Sequence, residues 1–188
     1  MRVEHPIAPV YDAHSRILIL GSFPSVKSRE TMFFYGHPQN RFWRVVAAVL
    51  EDTFPETVEE RRAFLLRHGI AVWDVIRSCD IAGSSDASIK NVVPNDLREI
   101  LEAAPIRAIY VNGKTAEKMY RKYTEALTGR EAVVLPPSSV NVNVHPNKLE
   151  VRFKDEAAMR DTAQRLMATA FEGERVLQLG ADRPAATA

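Results

Sequence analysis

Short apolar runs alternate with helical stripes along the chain. Arg16 to Gly21 reads R-I-L-I-L-G, a continuous apolar run closed by glycine, which suits a strand buried on both faces. A loop rich in serine, proline and aromatic residues is expected from Ser22 to Gln39. Phe42, Val45, Val46, Val49 and Leu50 then recur at helical spacing, with Pro38 near a plausible first turn. Thr57 and Glu60 make a capping-box pattern for a second helix, which carries Phe64 and Leu65 and stops at Gly69. Ile70 to Ile76 (I-A-V-W-D-V-I) is a second buried-strand run, and Arg77 to Pro94 reads as one long polar loop. A short helix is expected from Asn95, carrying Leu97, Ile100 and Leu101. Ile106 to Val111 is a third strand that runs into Asn112–Gly113 and a helix with Ala116, Met119, Tyr120, Tyr123 and Leu127. Ala132 to Leu135 makes a fourth strand, ended by Pro136–Pro137, and a last helix fits Glu156 to Phe171. The pattern gives one domain over residues 1–173 and a flexible tail over 174–188, patternless beyond Leu179.

Strands alternating with helices favour a mainly parallel sheet covered by helices on both faces. In such folds ligands bind outside the carboxyl ends of the strands. The loops that start at Gly21, Trp73, Asn112 and Pro136 are therefore expected to converge on one crevice.

Composition narrows the function classes. Hydrophobic residues make up 46% and charged residues 26% of 188 positions, enough for one sizeable core. Lys+Arg at 25 nearly balances Asp+Glu at 24, which excludes a polyanion binder working by bulk charge but leaves room for a local basic face. Cys79 is the one cysteine, so disulfide scaffolds, four-cysteine zinc sites and cysteine-held iron–sulfur clusters are excluded. No apolar run approaches a membrane span and the first ten residues lack a signal-peptide layout. A cytoplasmic protein needing no metal or cofactor, acting as a monomer, is the expectation.

The chemistry-bearing positions cluster in the predicted loops. Gly21-Ser22-Phe23-Pro24-Ser25 is neither a dinucleotide fingerprint nor a phosphate loop, and a simple strand-to-loop turn explains its glycine equally well. Tyr35 to Trp43 (Y-G-H-P-Q-N-R-F-W) is denser. Core packing accounts for Phe42 and Trp43, but poorly for Tyr35, His37 and Asn40. An aromatic platform beside amides is what a nucleobase needs, with stacking on its face and hydrogen bonds at its edge. Asp74 either caps the turn after its strand or faces the crevice, where it accepts from a protonated ring nitrogen. Lys27, Arg29, Arg41, Arg44 and Lys114 flank these loops and together suit a modest phosphate rim. His145 has no metal-ligand partner at sensible spacing and reads as structural.

These residues resemble the uracil-DNA glycosylase superfamily, and more closely its hypoxanthine-DNA (deoxyinosine) glycosylase family, the sixth. The resemblance rests on Gly21 to Ser25, Tyr35 to Trp43, Gly69 to Ile76, Gly83 to Ile89, Val111-Asn112-Gly113 with Ala116, and Leu135-Pro136 with Ser138-Ser139. It implies a three-layer α/β/α fold with a central four-stranded parallel sheet, and a monofunctional enzyme that flips a deaminated base out of damaged DNA and hydrolyses its N-glycosidic bond. Asn40 matches the catalytic asparagine, whose amide is a poor general base and positions the attacking water instead. Gly21, Ser22, Phe23, Tyr35, Asp74 and Asn112 fall on base-binding positions. Ser25, His37, Arg41, Lys114, Pro137, Ser138 and Ser139 fall on DNA-contacting ones. Hypoxanthine shows an N1–H donor beside an O6 acceptor, so an ionised Asp74 accepts from N1–H and repels adenine's lone pair. Uracil shows the same edge at N3 and O4, and only the family resemblance favours the purine.

One stretch departs from that family. After Ser139 the chain runs V-N-V-N-V-H-P-N-K-L-E-V-R-F, similar to a strand motif of MutL mismatch-repair ATPases, whose ATP-binding motifs are missing elsewhere. Two alternatives therefore stand beside the deoxyinosine glycosylase: a uracil-preferring glycosylase of the same fold, and a non-catalytic nucleic-acid-binding repair domain.

Overall fold

Ile17 to Gly21 is buried at every position and lies inside a four-stranded parallel sheet, as a run apolar on both faces requires. The computed structural model describes residues 1–135. In chain order its elements are β1 (Arg2–Glu4), β2 (Ile17–Gly21), α1 (Val26–Thr31), α2 (Phe42–Val49), α3 (Val58–Arg67), β3 (Ile70–Asp74) and β4 (Ile76–Asp80). They continue with β5 (Lys90–Pro94), α4 (Arg98–Ala103), β6 (Ala108–Asn112), α5 (Lys114–Tyr123), α6 (Glu125–Thr128) and β7 (Val133–Leu135). The parallel sheet has the order β3-β2-β6-β7.

Alternation along β2 divides the core in two. Ile17 and Ile19 pack with Phe42, Trp43 and Val46 of α2 and with Phe64 and Leu65 of α3. Leu18 and Leu20 pack on the other face with Ile100 of α4, Ala116 and Tyr120 of α5, and Ile76 and Cys79 of β4. The predicted α/β/α layering is thus present. Helix α3 begins with the full capping box, Thr57 accepting from the Glu60 N–H and Glu60 reaching back to the Thr57 N–H. Val10 pairs with Val72 and blunts the outer edge of β3.

Register aligns the functional ends. Gly21 of β2 lies opposite Asp74 of β3, and Asn112 of β6 lies opposite Leu135 of β7. The expected crevice between the carboxyl ends therefore forms around Gly21, Asp74 and Asn112. The fourth expected loop, from Pro136, lies outside the described residues. So do the helix expected over Glu156 to Phe171 and the domain boundary after residue 173.

Several elements differ from the sequence expectation. The stretch from Arg77 to Pro94 is not one loop, because β4 and β5 lie in it and join β1 in an antiparallel sheet of order β1-β4-β5. Strand β5 is largely exposed at an edge, so it carries no apolar alternation to read. The run Ile70 to Ile76 divides between two sheets after Asp74. Helix α1 occupies part of the expected aromatic loop, nucleated by Ser25, whose hydroxyl accepts from the Ser28 N–H. The helix expected from Asn95 begins at Arg98, because Asn95 is buried and its amide donates to the Asp74 carbonyl oxygen at 2.8 Å. The helix after Gly113 breaks at Thr124, and Leu127 is exposed.

Helices α2 and α3 are joined at their ends by Asp52. Its carboxylate accepts from the Arg67 guanidinium at 2.7 Å and from His68 Nε2 at 2.7 Å. The His68 bond first, then Arg67, holds this carboxyl well below the usual range. A lowered folded value means that the contribution is present above the ordinary carboxylate range and is lost as pH falls through the folded value. Urea midpoints measured from about pH 6 down to about pH 3 are expected to fall less steeply in Asp52→Asn than in the parent protein.

Candidate active site

Gly21 is where the site begins. A Cβ placed on it would stand 2.1 Å from Asp74 Oδ1, so no residue but glycine lets β2 pass this carboxylate. Asp74 ends β3 with its side chain 6% exposed, and His5 Nε2 lies 2.8 Å from its Oδ2. The Ile7 N–H donates to His5 Nδ1 at 3.2 Å, so Nδ1 carries the lone pair and the hydrogen sits on Nε2. His5 therefore donates to Asp74. Phe23, Phe34 and Trp73 surround the imidazole, with ring centroids 5.8–6.3 Å away.

Around this carboxylate opens a crevice of about 770 Å³. Its lining includes Gly21, Ser22, Phe23, Ser25, Tyr35, His37, Asn40, Asp74 and Asn112. Tyr35 holds a left-handed backbone with φ 51°, a conformation that costs a bulky residue roughly 1–2 kcal/mol. The chain can turn there because Gly36 follows; a Cβ on Gly36 would stand 2.4 Å from Thr31 Oγ1. One face of the Tyr35 ring stacks on Phe42 at 3.9 Å, so only its other face can meet a base. Burial first, then the nearby charge of Asp74, pushes the Tyr35 hydroxyl well above its ordinary value, while the neighbouring Asn112 side chain opposes that shift. The phenol stays protonated at the inner end of the crevice.

Asn40 is held by its own turn. Its Oδ1 accepts from the Phe42 N–H at 2.9 Å, and its N–H donates to the His37 carbonyl oxygen at 2.8 Å. The Phe42 donor fixes which side of the amide carries oxygen. Among the described residues the second lone pair of Oδ1 and the Nδ2 hydrogens take no further partner and can address a water or a sugar.

The crevice mouth carries a second carboxylate. Asp86 accepts from the Ser22 hydroxyl at 3.4 Å and stands on a turn clasped to α1. The clasp consists of the Val26 N–H donating to Ser84 Oγ at 2.8 Å and Arg29 donating to the Gly83 carbonyl oxygen at 3.2 Å. Desolvation by the crevice walls raises the Asp86 carboxyl, the neighbouring Thr115 and Ser22 hydroxyls lower it, and the charge of Asp74 adds to the rise.

The chain that builds this crevice, with amides, a carboxylate and an aromatic ring at the ends of a parallel sheet, is similar to known proteins. The sequence pattern of the uracil DNA glycosylase superfamily covers residues 8–166. The chain belongs to the uracil DNA glycosylase superfamily. It is thus an enzyme of the DNA glycosylase type. Two proteins called hypoxanthine DNA glycosylase are similar to it: one from Methanosarcina acetivorans, 36% identical over 73% of this chain and 87% of that protein, and one from Methanosarcina barkeri, 32% identical over 71% and 85%. A solution NMR structure from Methanosarcina acetivorans, described as a proposed uracil DNA glycosylase, superposes with a TM-score of 0.69 at 29% identity, covering 89% of this chain and 99% of that one. A shorter likeness, 39% identical over 29% of this chain, is to 10% of the DNA mismatch repair protein MutL of Chlorobium limicola.

Against the superfamily fold, the expected site residues divide clearly. All the expected base-binding positions and Asn40 line the crevice, as do Ser25 and His37. Ser25, expected to contact DNA, is engaged as the cap of α1. Arg41 and Lys114 do not line the crevice; Lys114 is exposed at the start of α5. Pro137, Ser138 and Ser139 lie outside the described residues. Among the flanking cations, Lys27 is paired with Glu30 at 2.6 Å, and Arg29 lies 5.8 Å over the Phe23 ring. His5 was missed, since it stands 69 residues from its partner and no spacing signals it. Asp86 was missed as a site residue, although it falls in a stretch that carries the resemblance.

Gly21→Ala should push Asp74 aside. The expected result is a lower melting temperature together with loss of base release, because the methyl and Oδ1 cannot share one place. An unchanged melting curve and an unchanged rate would refute the packing argument.

Proposed function

We propose that the chain is a monofunctional DNA glycosylase that removes a deaminated base, foremost hypoxanthine from deoxyinosine, by hydrolysis of the N-glycosidic bond. The observation that carries this reading is the convergence of Asn40, Tyr35, Asp74 and Asn112 on one crevice in a member of the superfamily. The names carried by the two Methanosarcina relatives favour hypoxanthine over uracil.

In this reading the flipped nucleotide enters the crevice with its base toward Asp74. The base stacks on the free face of Tyr35. The carboxylate accepts from N1–H of hypoxanthine, while adenine, with a lone pair at that position, is repelled. Asn112 and the protonated Tyr35 hydroxyl offer donors near the O6 edge. Asn40, held by the Phe42 N–H, orients the attacking water with its remaining lone pair and amide hydrogens. An amide does not remove a proton well, so its contribution is orientation in a dissociative reaction whose sugar cation is stabilised by the DNA phosphates. Water adds at C1′ and gives up a proton to solvent, the base leaves with the bond's electron pair and takes up a proton from solvent, and an abasic site remains. Ser22 and Phe23 are read with the base-binding group, Ser25, His37, Arg41 and Lys114 as DNA contacts, and the enzyme as a cytoplasmic monomer.

The test is single-turnover release from oligonucleotides that carry one deoxyinosine or one deoxyuridine, with hot alkali revealing abasic sites. The parent protein is expected to act chiefly on deoxyinosine. Asn40→Ala is expected to lose about 100-fold or more, the scale of one preorganised polar group. Asn40→Asp, which keeps an acceptor for the Phe42 N–H, separates loss of the turn from loss of the amide. Release chiefly from deoxyuridine would keep the mechanism and replace the base; a folded protein that binds DNA without releasing either would point to a binding module.

A further inference from the structure

We infer that His5 is a positioning residue for base selection, holding Asp74 as a fixed hydrogen-bond acceptor at the inner end of the crevice. The inference rests on the deaminated-base reading above and names the device behind its specificity.

A carboxylate that must accept from N1–H has to be kept from rotating. His5 meets that need. Its Nε2–H occupies Oδ2 at 2.8 Å, and side chains 2% and 6% exposed keep water from replacing that bond. The Ile7 N–H on Nδ1 excludes the other neutral tautomer, in which Nε2 would face the carboxylate without a hydrogen. His5 itself is anchored, its N–H donating to the Arg77 carbonyl oxygen at 2.7 Å. On the far side Oδ1 is packed against Gly21, and Asn95 holds the Asp74 backbone. The carboxylate is thus held at Oδ2 by His5 and crowded at Oδ1 by Gly21, and it lines the crevice. Other titratable groups that face it are the Tyr35 hydroxyl and Asp86, and neither supplies a cation to it.

A merely structural histidine would affect all substrates alike, whereas a positioning one affects only bases that carry the N1 hydrogen. Two oligonucleotides separate these cases: one with deoxyinosine and one with purine deoxyriboside, which has no N1 hydrogen and no O6. The measured quantity is the ratio of their single-turnover rates, which cancels general losses. His5→Phe keeps a ring among Phe23, Phe34 and Trp73 but cannot donate; His5→Leu is a second donor-free variant; His5→Gln restores an N–H donor. The ratio is expected to fall about tenfold or more in His5→Phe and His5→Leu, the factor carried by one charge-assisted hydrogen bond, and to recover to within about threefold in His5→Gln. An unchanged ratio in a folded donor-free variant, or no recovery with Gln, would overturn the role of His5 while leaving the glycosylase reading intact. Absence of release from deoxyinosine by the parent protein would instead overturn that reading, and with it this inference.

Discussion

A carboxylate withdrawn from water needs hydrogen-bond donors around it, and in this protein the architecture of the site follows from supplying them to Asp74. An unpartnered charge at such depth costs several kcal/mol, so its surroundings cannot be arbitrary. His5 comes in from the N-terminal segment to donate, Asn95 comes from the start of the α4 region to hold the backbone, and Gly21 gives up a side chain to make room. Three distant parts of the chain are thereby tied to the end of one strand. The antiparallel β1-β4-β5 sheet serves the same end, since it carries the chain away from Asp74 and places the His5 segment over it.

Around that fixed point the remaining groups are held by local turns. Asn40 is braced by the Phe42 N–H at the start of α2, and the same helix provides the ring on which Tyr35 stacks. The left-handed conformation of Tyr35 is a cost accepted at the site, sustained by the Phe42 stack and by Gly36 packed over α1. Rigid positioning of this kind suits a reaction in which the protein chiefly orients water and base, and in which the nucleic acid supplies much of the charge stabilisation.

The second carboxylate, Asp86, has a different character. It stands on a turn at the crevice mouth, clasped to α1 by Ser84 and by Arg29 through the Gly83 carbonyl. Desolvation at the crevice and the charge of Asp74 raise its carboxyl, while the Ser22 hydroxyl opposes the rise.

Sequence alone determined the parallel layers, because strands buried on both faces must be apolar throughout and packed helices show a stripe or a start signal; β2, β6 and α2 obey the first two rules, and α3 is marked by its Thr57–Glu60 capping box. It also placed Gly21, Tyr35, Asn40, Asp74 and Asn112 together, since they sit where loops leave the carboxyl ends of parallel strands. What only the tertiary structure decided were contacts without local signature. Strand β5 is polar and at an edge, so no periodicity marks it. Helix α1 is six residues capped by Ser25, too brief for a stripe. His5 meets Asp74 across 69 residues, and a hydrogen bond between distant side chains leaves no pattern in either neighbourhood. The glycine at position 21 was legible as a turn, but its physical reason, an oxygen of Asp74 in the space of a methyl group, exists only once two strands lie side by side.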